Sequence, residues 1–79
     1  MLHIGGLKGK PIKMKNKIKI ERARHDMTQE KLAELIGVSR QTINSMEKNK
    51  YVPSTVLALK ISKVFGLSVN ELFELTNED

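Results

Sequence analysis

The sequence predicts an all-α domain, a compact bundle of five short helices. Three observations carry this reading. Serine or threonine stands at the head of successive apolar stretches, at Thr28, Ser39, Ser54 and Ser68. A side-chain oxygen there can take up one of the free N–H groups at a helix start. Gly37 and Gly66 close two of those stretches, and glycine readily adopts the left-handed conformation that ends a helix. No segment keeps up the two-residue alternation of a half-buried strand for long. A chain of 79 residues has room for one core and not two.

The elements follow in order. Residues 1–13 are glycine-rich, lack periodicity and run out at Gly9-Lys10-Pro11, so they read as a flexible leader, cloning-derived or from an upstream start. The folded domain is expected over residues 14–75, opening at Met14, with an acidic tail at 76–79 that frays. A first helix over 16–25 turns Ile18 and Ala23 inward; Ile20 and Glu21 fit no clean stripe. Asp26-Met27 makes a break. Thr28 caps the second helix, Glu30 complements its dipole, and Leu32, Ala33, Leu35 and Ile36 form its apolar face up to Gly37. Ser39 caps the third, which buries Ile43 and Met46 and stops near Lys48. Asn49 is suited to the left-handed position that follows.

After the extended linker Tyr51-Val52-Pro53, Ser54 starts a fourth helix with Val56, Leu57, Leu59, Ile61, Val64 and Phe65 inward. Ser68 and Glu71 form the capping box of a fifth, which offers Val69, Leu72, Phe73 and Leu75. Leu72, Phe73 and Leu75 are more apolar residues than so short a helix needs for docking. Some are expected in the core and the rest against a second copy of the chain.

Composition removes several classes of function. There is no cysteine, so disulfides, thiolate zinc sites and iron–sulfur clusters are excluded. His3 and His25 are too few and too far apart for a histidine metal site. Tyr51, Phe65 and Phe73 are the only aromatics, too few for a domain that stacks single-stranded bases on aromatic platforms. No apolar run reaches the roughly 18 residues of a membrane span. Leu2, Ile4 and Leu7 are interrupted by glycines and make no signal peptide, so a cytoplasmic location is expected. No nucleophile–base pair, no paired carboxylates in an apolar setting and no phosphate loop point to an enzyme. His25 reads as a helix-terminal residue.

The formal net charge is +5. The excess sits at the front, where Lys8, Lys10, Lys13, Lys15, Lys17, Lys19, Arg22 and Arg24 face the single acid Glu21. A basic balance is weak evidence for nucleic acid, and a charge run is commonly a solvated tail. The narrower expectation is a basic arm at Lys15, Lys17 and Lys19 that touches phosphate.

The informative window is 29–48, QEKLAELIGVSRQTINSMEK. It reads as two helices joined by the turn Gly37-Val38-Ser39. Ala33 is small enough to let the helices approach, Gly37 allows the chain to reverse, and Val38, Ile43 and Met46 fill the wedge. That combination is a helix-turn-helix signature. The outer face of its second helix carries Arg40, Gln41, Asn44, Ser45 and Lys48. Arginine can bond guanine O6 and N7 with two donors, and glutamine or asparagine can bond adenine N6 and N7 in the same way.

On these residues the chain resembles the lambda-repressor-like (Cro/CI, Xre-type) helix-turn-helix transcriptional regulators of prokaryotes. The resemblance covers 15–73 and is carried by Met27-Thr28-Gln29, Leu32-Ala33, Gly37-Val38-Ser39, Ser39-Arg40-Gln41-Thr42-Ile43, Glu47 and Tyr51-Val52-Pro53-Ser54. Leu59-Lys60-Ile61, Val64-Phe65-Gly66 and Ser68-Val69 with Glu71-Leu72-Phe73 add to it. It looks most like the short stand-alone members. Many members carry glycine where Asn49 stands, and the leader before Met14 has no counterpart.

The resemblance implies a sequence-specific double-stranded DNA-binding regulator, a repressor, acting as a homodimer with helix 39–48 in the major groove. Arg40, Gln41 and Ser45 are then the base-reading residues. Gln29 braces a phosphate at a helix N-terminus. Thr28, Ser39, Thr42, Asn44, Lys48, Asn49, Lys50 and Tyr51 belong to the backbone contacts or to the motif itself. Glu47 is implied to pair with Arg22 in a structural role, alongside Ala33, Gly37, Ile43 and Met46. No cofactor, metal or small-molecule ligand is expected. An antitoxin-like protein-interaction module of the same fold is the alternative reading.

Overall fold

The computed structural model describes residues 12–77. The order is β1 (Ile12–Asn16), α1 (Ile18–Arg24), α2 (Gln29–Ile36), α3 (Arg40–Glu47), α4 (Thr55–Phe65), α5 (Val69–Leu72) and β2 (Phe73–Asn77). Four of the five helices, α2 to α5, stand where the capping signals placed them. The oxygens of Thr28, Ser39, Ser54 and Ser68 accept from the backbone N–H groups of Lys31, Thr42, Leu57 and Glu71. In the capping box, Ser68 N–H donates back to Glu71 Oε1 at 3.1 Å. Gly37 (φ 76°) and Gly66 (φ 68°) take the left-handed conformation at the ends of α2 and α4. Asn49 takes it after α3 with φ 59°, and Asp26, at φ 52°, plays the same part after α1.

The five-helix bundle is as expected, and two short terminal strands add to it. β1 and β2 pair antiparallel, with Met14 opposite Leu75, Lys15 opposite Glu74 and Asn16 opposite Phe73. Five residues at each end alternate in character, IKMKN and FELTN, too short a run to read as strands alone. Pairing satisfies their backbone groups, and Lys17 N–H extends it by donating to Leu72 O at 2.9 Å. The fifth helix therefore stops at Leu72, with Phe73 already extended. Leu75 lies in a strand, and so does Thr76 of the expected acidic tail. Asn16 ends a strand and the first helix begins at Ile18. The ribbon spans 12–16 and 73–77, beyond 14–75 at both ends, while residues 1–11 of the expected leader lie outside the described residues.

The core joins Ile18, Leu32, Ala33, Ile36, Ile43, Met46, Ile61, Phe65, Leu72 and Phe73. Four inward assignments change. On α1, Ile18 and Glu21 are buried and Ala23 is exposed, because residues three apart share a face and Ala23 falls two steps beyond Glu21. Leu35 on α2 is exposed, one position off the Leu32–Ala33–Ile36 stripe. On α4 the stripe runs through Leu57, Ala58, Ile61, Val64 and Phe65, which leaves Val56 and Leu59 more than half exposed. That helix is apolar around most of its circumference, so periodicity alone overstates its inner face. His25 ends α1 as expected. Its Nδ1 lies 2.9 Å from Glu21 O, and its ring is tilted against Phe65 at 5.1 Å.

Candidate nucleic-acid interface

α2 and α3 pack closely through a three-residue turn. Gly37 and Val38 both donate to Ala33 O, at 2.8 and 3.0 Å, which reverses the chain over the small Ala33 side chain. Ser39 then starts α3, its Oγ accepting from Thr42 N–H at 3.1 Å and sharing a hydrogen bond with Thr42 Oγ1. Ile43 and Met46 are fully buried against the core, and Val38 packs beside them. With that face inward, α3 turns Arg40, Gln41 and Lys48 to solvent, with Thr42, Asn44 and Ser45 half-buried at its edges.

An ion pair fixes the unit from behind. Arg22 on α1 grips Glu47 on α3 with two bonds, Nε to Oε2 at 2.6 Å and Nη2 to Oε1 at 3.1 Å. Both side chains are largely buried, 14% and 6% exposed. The remaining guanidinium nitrogen, Nη1, donates to Met27 O at 2.8 Å and so ties in the connection from α1 to α2. A planar guanidinium offers this fork of donors and an ammonium does not. The pairing of Arg22 with Glu47 is as the resemblance implied.

Gln29 extends the network to the surface. Its Nε2 donates to Glu47 Oε1 at 3.1 Å and to Asn44 Oδ1 at 3.4 Å, while its Oε1 accepts from Arg40 Nε at 3.4 Å. The chain Arg22–Glu47–Gln29 thus runs from the core to two polar side chains on the outer face of α3. Gln29, Arg40, Gln41 and Asn44 together line a shallow depression there. Such an arrangement presents planar amide and guanidinium groups, held from below, to a polar ligand.

The far end of α3 is held by a residue that sequence reasoning missed. Asn16, the last residue of β1, donates through Nδ2 to Met46 O at 2.7 Å and to Asn49 Oδ1 at 3.2 Å. Its Oδ1 accepts from Ile18 N–H at 3.1 Å, capping α1. The only available signal was an asparagine two residues before an apolar helical stretch, which points to the α1 cap and not to α3. Asn49 and Lys50 close the helix by donating to Met46 O and Ser45 O. Lys48, Asn49, Lys50 and Tyr51 are all exposed there.

Lys15, Lys17 and Lys19 are exposed on the neighbouring surface. Lys15 is in register with Glu74, and Lys17 stands close enough to Glu71 to help hold its carboxyl below the ordinary range. The main cause of that lowering is hydrogen bonding from Ser68. Among the described residues no cluster of histidine and carboxylate side chains could hold a metal ion, and no helix is long and apolar enough to cross a membrane.

The helix-turn-helix family model HTH_3 matches residues 18–72. The chain belongs to that helix-turn-helix family. An uncharacterized HTH-type transcriptional regulator of Methanocaldococcus jannaschii is 57% identical over 60 residues, which are 76% of this chain and 91% of that protein. The Bacillus subtilis HTH-type regulator YgzD is 52% identical over 66 residues, 84% of this chain and all of that one. Among solved structures, the transcriptional regulator VanUg superposes with a TM-score of 0.70 at 25% identity, over 99% of this chain and 100% of its own. The restriction-modification controller protein C.AhdI of Aeromonas hydrophila gives 0.64 at 25% identity, over 70% and 83%. The matched segment starts with α1 and ends with α5, so both partners of the Arg22–Glu47 pair lie within it. This helix-turn-helix protein is a DNA-binding transcriptional regulator and not an enzyme.

Proposed function

We propose that the chain is a cytoplasmic, sequence-specific repressor that binds double-stranded DNA as a homodimer, each copy placing α3 in the major groove. The observation that carries this is the outer face of α3. Arg40, Gln41 and Asn44 project there beside Gln29, and Gln29 is held by the buried Glu47. Arg40, Gln41 and Ser45 read base edges; arginine suits guanine and glutamine suits adenine. Thr28 and Gln29 at the start of α2, and Thr42, Asn44 and the exposed 48–51 loop, meet the phosphate backbone and set the register. Lys15, Lys17 and Lys19 add phosphate contacts from the start of the domain.

One recognition helix reads too few bases to select a site in a genome. Two copies, with helices roughly 34–36 Å apart, read a palindrome with half-sites one helical turn apart. Occupying such a site at a promoter blocks transcription. The test is selection of bound sites from random duplexes at two salt concentrations. A two-fold symmetric motif with that spacing is expected, with affinity falling as salt rises because counterions are released from the duplex. Recovery of unenriched sequence at both salts would overturn the base-reading role.

A further inference from the structure

The C-terminal end of α3 is held from outside the helix-turn-helix unit. Asn16 lies two residues before the segment 18–72 that defines the family match. Its Nδ2 donates to Met46 O at 2.7 Å and to Asn49 Oδ1 at 3.2 Å, across 30 and 33 residues. Its Oδ1 accepts from Ile18 N–H at 3.1 Å. A primary amide has two N–H donors, and two acceptors within the protein take them up, so none is left over for a ligand. The backbone around Asn16 is itself fixed. Asn16 stands opposite Phe73 in the ribbon, Lys17 N–H donates to Leu72 O, and Ile18, Leu72 and Phe73 are buried in the core. On the α3 side, Met46 is fully buried, Asn49 holds a left-handed φ of 59°, and Lys50 N–H returns to Ser45 O at 2.9 Å. The exposed turn 48–51 is thus held at two points, by the end of α3 and by the Asn16 amide.

We propose that Asn16 is a positioning residue for DNA binding: its amide presets the 48–51 turn in the shape that meets phosphate, without itself touching the duplex. Met46 O already accepts from Asn49 N–H at 3.0 Å, so the end of α3 is closed without Asn16. What the amide adds is a grip on the Asn49 side chain, which ties the surface turn to the ribbon. A turn held in place before the duplex arrives loses less freedom on binding. Capping α1 would need only an acceptor, which serine, threonine or aspartate supplies as well. The α3 contact uses the donor half of the side chain, which that cap leaves idle. The inference rests on the reading that residues 48–51 meet the phosphate backbone, and it names the residue that sets their position.

The test is a double-mutant cycle on the full chain. Asn16→Ser keeps an oxygen that can cap α1, on a side chain one atom shorter that gives up the reach to α3. Lys50→Ala removes a cation from the turn. Affinity for a selected duplex is measured over a range of salt for the wild-type chain, both single variants and the double variant. Circular dichroism checks that each is folded at the assay temperature. Lys50→Ala is expected to reduce the salt slope by about one. Asn16→Ser is expected to lose about three- to tenfold in affinity on every duplex, with base preferences unchanged. The readout that a purely structural role would not move is the coupling: Lys50→Ala should cost less in the Asn16→Ser chain than in the wild type, because the turn there is no longer preset. An equal cost in both chains overturns the proposal, and so does an Asn16→Ser chain that binds like the wild type. If Lys50→Ala leaves affinity and salt slope unchanged, the phosphate reading of the turn falls and the inference with it, an outcome the Lys50 arm reports by itself.

Discussion

The two faces of this domain are built by opposite means. On the α3 face, polar side chains are tied down: Arg40 to Gln29, Gln29 to Glu47, Glu47 to Arg22, with no single bond longer than 3.4 Å. On the α4 and ribbon face, apolar side chains stand in solvent with Val52, Val56, Leu59 and Leu75 each more than half exposed. Prearranged polar groups lose less freedom when a polar ligand arrives, so order there suits recognition. Exposed apolar surface has the opposite meaning, because covering it is favourable in itself. The difference separates an ordered polar face from an apolar face that gains by being covered.

The largest expected effect comes from cutting the polar face at its root. Arg22→Ala leaves Glu47 without its cationic partner in a largely buried setting, and should cost about 3–5 kcal/mol of stability. Urea denaturation followed by circular dichroism measures it. A loss near zero would mean that the pair is dispensable and that the two faces are not held differently.

A smaller effect separates the two ends of α3. Asn16→Ala removes the donor to Met46 O and the cap of α1, and should cost about 1 kcal/mol in the same denaturation. Because Asn16 joins the ribbon to the helix, the variant is also expected to weaken DNA binding at every site equally, without changing which bases are preferred. A changed base preference would make Asn16 part of the reading face itself.

The smallest effect lies in the capping box of α5. Hydrogen bonds from Ser68 hold the Glu71 carboxyl below its ordinary range, helped by Lys17. A group lowered in the folded state contributes stability above its unfolded pKa and loses it as pH falls through the folded value. Glu71→Gln should therefore be slightly less stable than the wild-type chain at neutral pH, and the gap should close in acid. Thermal denaturation across that range checks it; a gap that widens in acid contradicts the sign.

Much of the polar α3 face was legible in the sequence; of the apolar face, only the C-terminal group that includes Leu75 was. Caps are local signals: Thr28, Ser39, Ser54 and Ser68 each act within three residues, and all four do so here. The turn at Gly37 is equally local. The Arg22–Glu47 pair joins residues 25 apart, and only the resemblance implied it. Nothing local announced that Asn16 reaches Met46, 30 residues away. The ribbon escaped because strand pairing joins the two ends of the domain, and five alternating residues look the same on a helix or a strand. Val56 and Leu59 were misplaced because α4 is apolar on more faces than the core can cover.

Whether α3 reads bases is decided at Arg40. Binding of the wild-type chain and of Arg40→Ala should be compared on a selected duplex and on a set with each base pair of one half-site replaced in turn. Arg40→Ala is expected to lose about 1–3 kcal/mol on the selected duplex and to become indifferent to one base position while keeping its preferences elsewhere. Equal weakening on every duplex in the set, with all preferences intact, would contradict it and make Arg40 a phosphate contact.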